Sequence, residues 1–592
     1  MVKLTIDGKA LEVEAGMTIL HAAGKLGIEI PTLCYLEGKE PIGACRVCVV
    51  EMEGGRNLVS SCSTPVAEGM VVLTNSPRVR KARKLVVELM LAEHEGDCQT
   101  CDRSEDCELK KLAYSLGVRE VHYPGEKPKK YIDTSSAALV RDSSKCIKCR
   151  RCVTVCNEIQ KVGALFPQNR GYKTLIGPAF ALGLDDVPCV QCGQCAAVCP
   201  VGAIVEKNHV DLVWAALEDK TKHVVVQTAP AIRAALGECF GYPPGTLVKG
   251  KMVTALRRMG FHAVFDTNFT ADLTIMEEGT ELLLRLKKAL WEKQPVALPQ
   301  FSSCSPGWIK FTEHFYPEFL PNLSSCKSPQ QMFGAVAKTF YAQKKGIDPK
   351  DMVVVSVMPC TAKKFEASRP EMNSSGVRDV DYVLTTRELG QMILASGINF
   401  DTLEDGEADS PLGLSSGAAD IFANTGGVME AATRTVYEIV TGRSLPAENL
   451  HIKPLAGLQG IKEASLKLEQ VLPAWSFLEG VELKVAVAHT LSNAAILLDR
   501  IKKGEAQYHF VEVMTCPGGC IGGGGQPRFT SDEKRKARIQ AIYKEDEGKA
   551  LRKSHENPDI KKLYEEFLTD GPCGHKSHKL LHTHYIDRTK KE

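Results

Sequence analysis

Apolar residues recur along the chain with two different periods, and the change of period divides it. VKLTI and KALEVEA alternate apolar with polar positions around Asp7-Gly8, a pair suited to a tight primed turn, and predict a β-hairpin. TILHAAGKLG predicts a short helix after it, and RVRKARKLVVELMLAEHEGD a longer helical stretch. In the last 380 or so residues, HVVVQTAP, MVVVSVMPC, DYVLTT, LKVAVAH and HFVEVMTC read as buried strands, against helix-like SPQQMFGAVAKTFYAQKKG and TTRELGQMILASG. Such alternation predicts an α/β domain with largely parallel strands and sites at the strand carboxyl ends. The part before it reads as small α+β modules.

At roughly 150 residues per domain, the chain of 592 holds about four domains. Lys+Arg 74 nearly cancels Asp+Glu 72, and a net charge of +2 gives no basic field of the kind a nucleic-acid binder carries. No run of eighteen apolar residues predicts a membrane span. The start, MVKLTIDGKALEVEAG, lacks the charged, apolar and small segments of a signal peptide, so a cytoplasmic protein is expected, without nucleic-acid or membrane partners.

The 22 cysteines change the picture, because 15 of them precede position 200 and 7 follow it. A disulfide framework spreads through a short secreted chain, so this grouping predicts metal centres in a reducing compartment. In residues 1–78, Cys34, Cys45, Cys48 and Cys62 are spaced C-x10-C-x2-C-x13-C, which suits a 2Fe-2S cluster better than the paired C-x2-C knuckles of a zinc ribbon. In residues 79–138, His94, Cys98, Cys101 and Cys107 supply one imidazole and three thiols for a 4Fe-4S site. In residues 139–210 the ferredoxin run C-x2-C-x2-C-x3-C occurs twice, and the fourth cysteine of each run is expected to cross over. Cys146, Cys149, Cys152 and Cys199 then hold one 4Fe-4S cluster, and Cys189, Cys192, Cys195 and Cys156 the other. The first two modules are similar to the front of the large iron-sulfur subunit of respiratory complex I.

Residues 211–592 must be where this four-cluster wire leads. Cys360 ends one apolar strand and Cys516 another, with Cys520 four residues on, and the six glycines in CPGGCIGGGGQP let backbone approach a bulky inorganic group. No Lys-Ser/Thr follows, as a phosphate loop would require. The motifs TAPAIRAALGE, TIMEEGTELLLR, FSSCSPGW, MPCTAKKFE and VEVMTCPGGCIGGGGQP identify a resemblance to large multi-cluster iron-only hydrogenases, over essentially the whole chain. Most similar are the hydrogen-activating subunits of cytoplasmic NAD(P)-linked complexes, some of them electron-bifurcating.

The resemblance implies an H-cluster, a 4Fe-4S cube joined through cysteine to a diiron unit bearing carbon monoxide, cyanide and a dithiolate amine, which interconverts dihydrogen with protons and electrons. It carries cube ligation to Cys360, Cys516 and Cys520, with Cys520 the bridging thiolate. Lys363 falls beside a cyanide, and Met358, Met514 and Pro230 among the cofactor contacts. The proton relay maps to Cys304, Glu278, Ser324, Glu281 and the surface-end Arg285. Implied partners are flavin- and NAD(P)-binding subunits, a small 2Fe-2S subunit or a ferredoxin, and diiron maturation enzymes.

One departure stands out. The family reads Thr-Ser-Cys-Cys-Pro-x-Trp where this chain has Ser302-Ser303-Cys304-Ser305-Pro306-Gly307-Trp308, so in strict register Ser305 replaces a cube ligand. A hydroxyl is a harder donor than thiolate. Three outcomes are open: Cys304 shifts to the cube and Cys326, beside Ser324, takes over proton passing; Ser305 ligates as an alkoxide; or the protein gives the cube three ligands. The last admits an alternative function, a hydrogen sensor or electron-transfer homologue. Cys239 and Cys573 read as incidental thiols, and His575, His578, His582 and His584 as a packed or solvated tail.

Overall fold

The computed structural model describes residues 1–123, 127, 130–445 and 458–589. They form two compact units, one of Met1–Asn157, Gly163–Val187 and Val198–Val205, the other of Glu158–Val162, Pro188–Ala197 and Glu206–Glu592. Among the described residues, no helix is long and apolar enough to cross a membrane.

In the first unit the hairpin forms as its pattern requires. Val2–Ile6 pairs antiparallel with Lys9–Val13, Ile6 opposite Lys9, and Asp7 and Gly8 turn at φ 46° and 78°. The Asp7 carboxylate accepts from the Thr74 backbone N–H at 2.7 Å, tying the turn to the end of the parallel strand Met70–Leu73. Ile6, Val13, Ile19, Val50 and Val72 fill the core beneath this sheet. The helix Pro77–Glu93 starts from a Ser76 cap with Pro77 in its first turn, and it stops at Glu93, leaving His94 in extended backbone at its end.

The second unit is built on two sheets. One has the order Ala263–Asp266, His223–Thr228, Met352–Met358, Tyr382–Thr385, with every pairing parallel. The other runs Gln300–Phe301, Phe510–Met514, Glu482–His489, Ile461–Lys467, parallel except for the last strand. The α/β class expected from the alternating runs is thus present, with an antiparallel edge strand that the pattern did not disclose. Ile461–Lys467 escapes notice because its outward face, Glu463, Ser465 and Lys467, breaks the apolar run.

The helix Asn268–Leu286 is buried along most of its length although it carries Asp272, Glu277 and Glu278. Buried acids need partners. Asp272 accepts from the Ser416 N–H at 2.8 Å and from Asn557 Nδ2 at 2.9 Å. Nearby, the fully buried Arg233 donates to Asp266, Asp420 and Glu545, each at 2.8 to 2.9 Å, and so joins segments far apart in sequence.

Removing that guanidinium leaves three carboxylates facing one another. Arg233→Met should lower the stability of the second unit by about 3 to 5 kcal/mol, read as a fall in the midpoint of anaerobic urea unfolding.

Candidate functional site

The predicted accessory ligands divide between the units: those from Cys34 to Cys156, and Cys199, lie in the first, and Cys189, Cys192 and Cys195 in the second. Cys34, Cys45, Cys48 and Cys62 are all buried, and Cys48 and Cys62 lie 3.4 Å apart, sulfur to sulfur. Hydrogen bonding from Cys45 holds the Cys34 thiol down to about 6, and hydrogen bonding from Cys62 holds Cys48 down to about 7. Two thiols poised to ionise among four is a donor set suited to iron. Cys146, Cys149, Cys152 and Cys199 line one small cavity with Arg141 and Ile176. Burial drives the Cys146 thiol up to about 11, an expense that a bound cluster reverses. Cys156 sits apart from that cavity's lining and accepts from the Ala164 N–H at 3.3 Å. His94 is buried with its Nδ1 lacking any hydrogen-bond partner, as a ligand nitrogen would be. Cys107 is also buried, and Cys98 and Cys101 are half-buried.

In the second unit Cys360 follows the strand Met352–Met358, and Cys516 and Cys520 follow Phe510–Met514. Their thiols come together: burial first, then the neighbouring Cys360 and Cys520, drive Cys516 upward, and burial and Cys360 push Cys520 up to about 12. Glycine makes the meeting possible. A Cβ on Gly523 would lie 2.1 Å from the Pro359 carbonyl oxygen, and one on Gly524 2.2 Å from that of Cys192. The Cys192 thiol, buried and raised, has Cys195, Cys516 and Cys189 as charged neighbours, which brings three ferredoxin-type thiols to the same place. Met358 and Met514 end their strands fully buried, and Pro230 is buried in the first turn of the helix Pro230–Arg233.

Cys304 and Ser305 face different ways. The Cys304 thiol is raised by burial, then by Glu278 and Cys520, and its carbonyl accepts from Lys363 Nζ at 3.0 Å. The Lys363 ammonium also donates to Glu366 at 2.9 Å. Ser305 Oγ lies 2.7 Å from Thr515 Oγ1 and 3.3 Å from the Thr515 N–H, next to Cys516. Sequence reasoning missed Thr515, since nothing marks a threonine before a cysteine as the partner of a serine 210 positions away.

Two neighbouring acids on the buried helix differ. Glu277 is held below its ordinary range: burial opposes this, but His582, Tyr564 and the Cys573 N–H all hydrogen-bond to it. Glu278 has no hydrogen-bond partner at either carboxyl oxygen. Burial, then the charge of Glu281, push it up to about 8. One turn on, Glu281 accepts from Ser324 Oγ at 2.7 Å and pairs with Arg285 at 2.7 Å.

The matching family model for residues 222–524 is the C-terminal domain of the iron-only hydrogenase large subunit, and residues 532–588 match the iron hydrogenase small subunit. The NADP-reducing hydrogenase subunit HndD of Solidesulfovibrio fructosivorans is 52% identical over 596 residues, covering 100% of both chains. This chain belongs to the iron-only hydrogenases.

The periplasmic [Fe] hydrogenase large subunit of Nitratidesulfovibrio vulgaris is 49% identical over 52% of this chain and 70% of its own. A solved structure of the [FeFe]-hydrogenase HydA(deltaEFG) shares 45% identity and a TM-score of 0.58 over 64% of this chain and 99% of that one. Ahead of the hydrogenase domain, residues 1–77 match a 2Fe-2S cluster binding domain, 83–122 the NADH-ubiquinone oxidoreductase-G iron-sulfur region, and 145–203 a 4Fe-4S dicluster domain. The hydrogenase is therefore an enzyme that oxidises dihydrogen and relays the electrons through iron-sulfur domains. Its three converging thiols, Cys516 buried and Cys360 and Cys520 half-buried, fit an H-cluster-type centre.

A carboxyl raised this far is protonated at neutral pH and ionises only as pH passes about 8. In infrared spectra of the hydrogenase, a carboxylic C=O band should titrate out near that pH and be missing from Glu278→Gln at every pH.

Proposed function

We propose that this chain is the hydrogen-activating subunit of an NAD(P)-linked hydrogenase, with Cys360, Cys516 and Cys520 holding the cube and Ser305 standing at its fourth ligand position. The observation that carries the assignment is the divergence of adjacent residues: Cys304 has Glu278 and Cys520 as neighbours, while Ser305 is hydrogen-bonded to Thr515 beside Cys516. This favours strict register with the family motif. It also argues against Cys326 as a substitute for Cys304, because the Cys326 thiol lies against Glu281, one step farther out, at 3.7 Å.

When bound, the diiron unit with its carbon monoxide, cyanide and dithiolate amine supplies the splitting of dihydrogen and passes on the electrons. The chain's residues handle protons and surroundings. Cys304 Sγ receives a proton in a dry pocket and gives it to Glu278, whose neutral form is favoured there. Glu278 is a protonated donor, and the next group along is Glu281, to which the Ser324 hydroxyl donates. Arg285 stabilises the Glu281 carboxylate. Lys363, fixed by Glu366 and the Cys304 carbonyl, presents a positive charge suited to a cyanide, and Met358, Met514 and Pro230 keep water out.

One 2Fe-2S cluster and three accessory 4Fe-4S clusters, on the ligand sets given above and within the boundaries 1–78, 79–138 and 139–210, form the wire. Partners are a flavin and NAD(P) subunit, a small 2Fe-2S subunit or ferredoxin, and maturation enzymes that install the diiron unit. The name of the full-length relative supports the nucleotide link. The grouping of the 22 cysteines at metal-ligand spacing supports a reducing compartment, the cytoplasm, although the name of the periplasmic relative places a hydrogenase domain elsewhere too.

The test is hydrogen-dependent viologen reduction by the anaerobically purified chain, co-expressed with maturation proteins and with infrared bands confirming the diiron unit. Turnover is expected, and Ser305→Cys should change the electron paramagnetic resonance of the cube while keeping turnover within about tenfold. An unchanged cube spectrum would overturn the place given to Ser305, and a loaded but inactive chain would point to a sensor.

A further inference from the structure

The relay described above ends at Arg285, yet that residue is a poor exit. A guanidinium does not give up its proton in proteins and has no acceptor. Here it is also pinned, donating to Glu281 at 2.7 Å and to the carbonyls of Ala297, Pro321 and Leu323 at 2.9 to 3.1 Å. Its side chain is 14% exposed and that of Glu281 13%. A proton reaching Glu281 meets a fixed, permanently charged plug.

On the other side of Glu281 lies a group that can accept one. Cys326 Sγ is 3.7 Å from Glu281 Oε2 and 4.0 Å from His582 Nδ1, both within reach of a sulfur hydrogen bond. The same Nδ1 is 2.8 Å from Ser325 Oγ, and the Ser325 N–H donates to Glu281 Oε2 at 3.1 Å. On the far edge of the ring, Nε2 lies 3.2 Å from the ionised Glu277. A β-bridge between Cys326 and His582 fixes the geometry, with the Lys327 N–H donating to the Leu581 carbonyl at 2.8 Å and the Thr583 N–H to that of Ser325 at 2.7 Å. The exposed ring of His578 lies against His582, centroids 4.1 Å apart, so the line from the buried acid ends close to the surface.

We propose that Cys326 and His582 form the outward branch of the proton relay, taking protons from Glu281 to solvent. The proposal rests on the relay assigned above. For each proton, the Glu281 carboxyl gives its hydrogen to Cys326 sulfur while the Cys326 S–H hydrogen passes to His582 Nδ1. The thiol is restored and the ring becomes imidazolium, its charge balanced by Glu277. Nδ1 then passes that proton to the half-buried Ser325 hydroxyl, 2.8 Å away, and on to water, while the Nε2 hydrogen stays hydrogen-bonded to Glu277 and the ring is reset; in hydrogen evolution every transfer reverses. An imidazole can accept a proton at one ring nitrogen while the other donates, and the groups facing this one are Glu277, Glu281, Cys326, Cys573 and His578. Cys573, read from the sequence as incidental, is engaged here: its N–H and thiol both donate to Glu277, at 2.7 and 3.3 Å. No local motif marks this contact, because the two residues lie 296 positions apart.

The test uses the full mature chain, with infrared bands and cluster spectra recorded for every variant. His582→Gln should lower kcat about tenfold or more with KM for dihydrogen unchanged, raise the solvent deuterium isotope effect, and lose the limb of the kcat–pH profile near neutrality. Added imidazole should restore part of the rate. Cys326→Ala should behave alike, and Cys326→Ser should retain most of the activity. Full turnover with an unaltered pH profile in His582→Gln would overturn the branch, as would equal losses in both Cys326 variants without imidazole rescue. Glu278→Gln separates the two readings: if it is fully active the relay itself fails, whereas an inactive Glu278→Gln beside an unaffected His582→Gln removes only the branch.

Discussion

Three thiols from two different sheets have to reach one point, and much of the second unit follows from that requirement. Cys360 leaves the end of one parallel sheet, and Cys516 and Cys520 leave the end of the other. Parallel strands deliver their carboxyl ends to one side, so convergence needs only that the intervening backbone be thin. Gly523 and Gly524 meet that need against the carbonyls of Pro359 and Cys192. Met358, Met514, Lys363 and the pair Ser305–Thr515 then fall around the thiols because each lies within a few residues of a strand end or of the segment that packs on it.

The buried helix Asn268–Leu286 shows how surroundings, rather than residue type, assign a role. Asp272 and Glu277 are both satisfied, the first by Ser416 and Asn557, the second by Tyr564, His582 and the Cys573 N–H. Hydrogen bonds of this kind offset part of the cost of burying an acid. Glu278, one residue from Glu277, has only weak contact with the Ser324 hydroxyl and the Ser303 backbone, and burial pushes this carboxyl up to about 8. An unsatisfied acid is the expected signature of a group kept for proton transfer.

Much of this was legible in the sequence for definite reasons. The hairpin at Asp7-Gly8, the five apolar strands of the second unit and the accessory cysteines all rest on local spacing, and the structure realises the strands and gathers Cys146, Cys149, Cys152 and Cys199 around one cavity. The contacts of Ser305 with Thr515 and of Glu277 with His582 and Cys573 were not legible, because they join residues hundreds of positions apart with no motif at either end. The strand Ile461–Lys467 was missed because one face of an edge strand is polar. The helical stretch read over RVRKARKLVVELMLAEHEGD ends early, at Glu93, so His94 lies just past the helix in extended backbone.

The bond between Glu277 and His582 spans 305 residues. A loop of that size forms late, since non-local contacts must wait for the chain between them to be made and ordered. Closing so long a loop costs chain entropy, so this wall of the site is held only as firmly as the contacts that flank His582, its β-bridge with Cys326 among them.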